Sequence, residues 1–154
     1  MVQEKGRRIS GGEIQVIENG DLAVVYFEGE AIVRNGGHAI VFAKGKVTAE
    51  AGGTVTVNDG GFADVQDGGE AFVTSGGQAT VLSGGEAHVS YRGKVEVKEG
   101  GVAVVGYGGL ATVLHKGFAE VKRGGEARVY QEGSALIHQG GRALSDGTGD
   151  IAFL

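Results

Sequence analysis

A glycine that returns every eight residues constrains this chain more than any other feature. Gly stands at positions 12, 20 and 29 and then at every eighth position up to 149. The interval from 20 to 29 is nine residues, and all the others are eight. The unit reads G-G-x-A-x-V-x-x, seen cleanly as GGEAFVTS in 68–75 and GGEAHVSY in 84–91. Sixteen units follow from Gly29 onward, and their small apolar site is Ala in twelve and Val47, Val55, Val95 or Ile151 in the others. Their second apolar site is Val in twelve and Ala49, Ile137, Ser145 or Phe153 in the others.

Two apolar sites spaced by two share one face of an extended strand. A Gly pair in every unit opposes a helix. The pair instead marks a corner, where positive φ or a close backbone approach excludes a β-carbon. Strand, corner, strand, corner with one buried face per strand describes a β-solenoid, since each unit buries its face only against stacked neighbours. The expected fold is all-β and a single domain over 1–154, long enough for a continuous core. Residues 1–28 would form an N-terminal cap with irregular first octads, 29–149 the regular solenoid and 150–154 a C-terminal cap. Other Gly-rich states fail. Collagen needs Pro, which is absent, and disorder needs few apolar residues, whereas 41% here are hydrophobic.

Two octads would close a flat coil, and three a triangular one. A flat coil must reverse the chain between sheets normally about 10 Å apart, in about three turn residues. A triangle bends more gently at each corner, which favours three octads per coil, with two as the alternative. Three octads predict a stack roughly 29 Å long. They also predict a ladder of Lys46, Glu70 and Lys94, and one shared corner for Lys44, Arg92 and Lys116, which replace the first Gly of a pair. Two octads would instead pair Glu30 with Lys46. Near the start the inward sites read as Ile14, Val16, Leu22 and Val24, with the extra residue beside Val25–Phe27 as a bulge or cap feature. At the far end Phe153 reads as a plug of the open core or, with Leu154, as an apolar stub that docks onto another subunit.

Several function classes are excluded by composition. The chain has no Cys, which removes disulfides, thiolate metal sites and cysteine nucleophiles. Its net charge of −5 opposes a nucleic-acid surface. No window approaches the roughly 20 apolar residues of a membrane helix, and MVQEKGRRIS lacks the apolar stretch of a secretory signal. As written, the chain is expected in the cytoplasm or in a phage assembly, or at a cell surface if it is a fragment.

Motif matches are weak. The run Val102–Ala111 (VAVVGYGGLA) has the shape G-x-G-x-x-A after a strand, but a dinucleotide site needs a helix next. Here Thr112–Gly117 stays in octad phase, so no cofactor is expected. A calcium roll needs G-G-x-G-x-D-x-U-x, and this chain has Ala for the third Gly and Val for the Asp. His38, His88, His115 and His138 fall at four different octad phases, so no metal cluster follows. His88 beside Glu86 is the best local acid–base pair, and no catalytic residues stand out. The outward apolar residues carry more interest. Phe42, Phe72, Leu82, Leu114, Tyr130 and Leu136, with Phe153 and Leu154, are the candidate contact surface.

With the octad established, the chain resembles the Gly-Gly-rich repeats of autotransporter passenger adhesins of the diffuse-adherence type, whose units are of the GG-x-A/T-x-V kind. The likeness covers roughly 11–149. It implies a right-handed β-helix that adheres at a cell surface. The chain departs from that family in having no visible signal, few Ser and Thr and more charge. Phage tail and spike β-helices look similar and need no signal. Bactofilin-like polymers share a small β-helix but have a shorter repeat and Pro-rich tails. The expected function is a non-enzymatic structural or adhesive module. Its outward rows would bind a surface protein or glycan within a homo-oligomer or a larger surface or phage assembly. The alternatives are a cytoplasmic self-assembling scaffold or protein inhibitor, and a carbohydrate-active β-helix enzyme. An enzyme would usually need loops between coils to build its cleft.

Overall fold

The computed structural model describes residues 6–12 and 14–154. Among them are nineteen short strands and no helix. β1 spans Arg7–Ile9 and β2 Ile14–Ile17, and from β2 a four-residue strand begins every eight residues through β19 (Asp150–Phe153). The odd-numbered strands form a ten-stranded parallel sheet, and the even-numbered strands a nine-stranded one. Each strand therefore pairs with the strand two further on, as Gln78–Val81 does with Lys94–Val97. The fold is a β-solenoid of about nine flat coils, each built from two octads.

The triangular coil of three octads is not formed. Its physical premise failed at the corner, which is tighter than a gentle bend. Between β13 (Val102–Val105) and β14 (Leu110–Val113) the Gly109 N–H donates to the Gly106 carbonyl at 3.0 Å, closing a β-turn around Tyr107 and Gly108 alone. That reversal suffices because most strands send only one Ala-sized and one Val-sized side chain between the sheets, and Thr54–Val57 and Lys94–Val97 send two Val, so the core is thin. These residues form one continuous apolar column with no buried polar side chain among the described residues. In β6 (Lys46–Ala49) the order is exchanged to Val47 then Ala49, which conserves volume. The ladder of Lys46, Glu70 and Lys94 dissolves, because Glu70 lies on the odd sheet and the two lysines on the even one. Glu30 and Lys46 are register neighbours instead.

The two glycines of a pair have different tasks. Gly108 has φ of +70°, the left-handed region. Lys44 and Arg92 hold the same region at the equivalent position, both with φ of +69°, so this slot tolerates a side chain under strain. Gly109 is needed for space. A β-carbon there would lie 2.6 Å from the Val89 carbonyl oxygen, and that oxygen accepts the Gly106 N–H at 2.8 Å. From Gly29 to Gly149 this second slot holds only Gly.

That distinction accounts for the single longer interval. Gly20 has φ of +84° and is a first glycine, with Asp21 in the second slot. β3 (Leu22–Val25) pairs with β5 (His38–Val41) in the same unbroken two-octad register, so no bulge is present. The inward residues near the start are Ile9, Ile17, Ala23 and Val25. Ile14 and Val16 point outward at 62% and 39% exposure, so the expected inward set of Ile14, Val16, Leu22 and Val24 is off by one position. The backbone that a second glycine must avoid belongs to the coil below, as Val89 does for Gly109. For Asp21 the equivalent position is Met1, outside the described residues.

The last corner departs from the octad. Ser145 stands in a Val slot but is exposed, and its hydroxyl accepts the Gly147 N–H and donates to the Gly149 carbonyl, both at 3.1 Å. The Thr148 hydroxyl and N–H both donate to the Asp146 carboxylate, and the Gln131 N–H donates to the Thr148 hydroxyl at 2.7 Å. These bonds, the Thr148 hydroxyl foremost, hold the Asp146 carboxyl below its ordinary value.

The corners carry two testable consequences. Gly109→Ala should lower stability by more than about 3 kcal/mol, against about 1–2 kcal/mol for Gly108→Ala. Denaturant unfolding of both variants checks this, and equal losses would contradict the division of labour. At the terminal turn the folded carboxyl is depressed, so its contribution is full above the ordinary carboxylate range and disappears as pH falls through the folded value. The protection of the Thr148 amide, its exchange rate relative to an unstructured chain at the same pH, should therefore fall as pH drops below the ordinary Asp range, and Asp146→Asn should remove that change in protection.

Candidate binding groove

The two outer faces differ because their side chains differ in bulk. Each strand sends one outward residue ahead of its Ala site and one between Ala and Val. On the odd sheet the second row includes Ile40, Phe72, His88, Val104 and Leu136, and the Phe72 and His88 rings stack at 5.1 Å between centroids. Beneath Phe72, His88 and Val104 the residues Ala71, Ala87 and Ala103 are 0% exposed, while Ala39 and Ala135 toward the ends of the row are 2% and 3%. On the even sheet the second row between Ile32 and Arg128 is polar, with Thr48, Asp64, Thr80, Glu96 and Thr112, three of them short Thr side chains. Solvent there reaches down to Ala63, Ala79 and Val95, at 3%, 7% and 4%.

The result is an open groove of about 630 Å³ on the even sheet, crossing from β4 (Glu30–Val33) to β14. One wall holds Lys46, Phe62, Gln78, Lys94 and Leu110, and the other Asp64, Thr80, Glu96 and Thr112. The six even strands involved span roughly 24 Å at about 4.8 Å per step. The Lys46 ammonium lies 3.6 Å from the Asp64 carboxylate, and Lys98 lies 3.4 Å from Glu96. Exposed pairs of this kind add little stability, and the Lys46–Asp64 pair reaches from one wall of the groove to the other. Lining cations (Lys44, Lys46, Lys94) nearly balance lining anions (Glu28, Glu30, Asp64, Glu96), so the groove presents no strong field of one sign. Phe62 is the one aromatic in the lining and is 43% exposed. The arrangement offers interspersed donors and acceptors around an apolar platform.

The residues expected to form a contact surface do not share one place. Leu82, Leu114 and Tyr130 share a single corner column, each half-buried, with Lys98 standing between Leu82 and Leu114. Phe72 and Leu136 lie on the odd face. Phe42 sits at the opposite corner, stacked on Tyr26 at 5.8 Å. Phe153 takes the Val slot beside its register partner Ile137, which is 1% exposed, while Phe153 and Leu154 are 72% and 74% exposed. Of the basic corner residues, Lys44 and Arg92 share one corner and Lys116 lies on the other, because three octads make one and a half coils.

The histidines also resolve. His88 lies 3.5 Å from Glu86, the pair expected from sequence, and 3.4 Å from Glu70. His138 lies 2.7 Å from Glu120. Among the described residues no three His, Asp or Glu side chains gather as a metal site. The GYGG run at 106–109 is a corner leading into a strand. Sequence reasoning passed over Phe62 and Gln78 and set Glu70 beside two lysines, because a three-octad coil separates all three from their actual neighbours. A stride of two octads puts Lys46, Phe62, Gln78, Lys94 and Leu110 in one row.

No protein-family model matches the chain, and no curated protein matches it. Among solved structures, a TibC-catalysed hyper-glycosylated TibA fragment aligns over 97% of this chain and 92% of that one, at 23% identity and a TM-score of 0.44.

Proposed function

We propose that this protein is a non-enzymatic, rigid adhesive or structural module that binds a surface protein or glycan through its outward rows. The observation that supports this most is the division between interior and exterior. The interior repeats Ala and Val from coil to coil, while all chemical variety lies outside. Inter-coil hydrogen bonds continue through the corners, as in Arg92 N–H to the Gly108 carbonyl at 2.9 Å and Gly108 N–H to the Gly124 carbonyl at 2.8 Å. A rod bonded this way along its length holds surface groups at fixed spacing. The carbohydrate-enzyme alternative has a lateral groove to work with, but Asp64 and Glu96 there are exposed and salt-bridged, the setting of ordinary surface carboxylates.

The test is retention of beads coated with mixed cell-surface glycoproteins on immobilised protein, with the coat recovered and analysed. Retention with the coat intact is expected. New reducing ends or peptide fragments would replace the reading with an enzymatic one, and absence of retention would remove the adhesive role.

A further inference from the structure

Resting on that adhesive reading, we propose that the even-sheet groove is the binding site, and that it takes a linear neutral oligosaccharide lying along the solenoid axis. The shape comes first. At about 630 Å³ the groove falls in the range of ordinary ligand sites, and it runs along the stack where the outward rows repeat coil by coil. A ligand whose units repeat along its own axis can meet these rows in the same way more than once.

The chemistry selects the class. The backbone N–H and C=O groups of the groove floor are already committed to inter-coil bonds, as in the Lys94 N–H to the Gly77 carbonyl at 3.0 Å. An extended peptide therefore finds no strand edge to pair with here, and recognition falls to side chains. Those side chains alternate donors with acceptors: Lys46 and Asp64, Gln78 and Thr80, Lys94 and Glu96. Vicinal hydroxyl groups, each donor and acceptor at once, match such a mixture. The near-balance of charge along the lining disfavours a polyanion. Phe62, 43% exposed and in the row between Lys46 and Gln78, offers its ring to the apolar face of a pyranose. The odd face lacks this architecture, since its bulky row leaves Ala71, Ala87 and Ala103 0% exposed.

The test is calorimetric titration of the intact chain with neutral hexasaccharides (gluco, manno, xylo and galacto series), an oligogalacturonate and a mixed-sequence peptide pool. At least one neutral hexasaccharide should bind. Phe62→Ala should weaken it by roughly tenfold or more, the scale of a central aromatic anchor. Thr80→Arg, which fills the groove midway, should abolish binding, and Phe72→Ala on the opposite face should leave it unchanged. Thermal melts of all three variants establish that they fold. Preference for oligogalacturonate or peptide, equal loss in Phe72→Ala, or no binding to any neutral hexasaccharide would overturn the assignment. Bead retention separates the two levels: retention that survives Thr80→Arg overturns the groove and leaves the adhesive role, whereas no retention by the parent chain removes the adhesive role itself.

Discussion

The approach of each second glycine to the carbonyl of the coil below sets the geometry on which the rest of this structure depends. At Gly109 a β-carbon would collide with the Val89 oxygen that the Gly106 N–H needs. Removing that β-carbon lets a two-residue turn reverse the chain while the corner itself stays hydrogen-bonded to the next coil. The thin core follows from the same tightness. With so little room between the sheets, Ala and Val are the side chains that fit, and they recur down the column with few exceptions.

From this constraint the outer surface acquires its order. A strict two-octad coil stacks every outward residue above and below its octad-phase equivalents two units away, so the faces are written row by row. In the middle coils, bulk in one row covers Ala71, Ala87 and Ala103 on the odd face, and smaller side chains such as Thr80 in the corresponding row leave Ala79 7% exposed on the even face. The groove thus arises from side-chain size on a backbone that is nearly the same on both sides.

The repeat, the strands, the inward Ala and Val and the corner role of Gly were all legible in the sequence, because period-two patterning and the Gly pair act locally. The coil size was not. It depends on how sharply two residues can turn and how closely two sheets approach, and the usual sheet spacing misjudges both for an Ala–Val core. That single error scattered the surface residues. It put Lys46 with Glu70, hid Glu70 from His88, gathered Lys116 with Arg92 and left Phe62 unnoticed. The misframed start has a different cause. By spacing alone Gly20 reads as a second glycine, and only its positive φ shows that Asp21 fills that slot.

The most direct measurement of the two-octad coil is disulfide trapping, which the absence of native Cys makes clean. Thr80→Cys with Glu96→Cys places thiols on register partners of adjacent coils, within the Cα separation a disulfide accepts. Thr80→Cys with Val104→Cys places them on opposite sheets. Mild oxidation should cross-link the first pair rapidly within the monomer and leave the second as thiols. Efficient intramolecular bonding of the second pair, with the first unbridged, would contradict the flat coil and restore the triangular one.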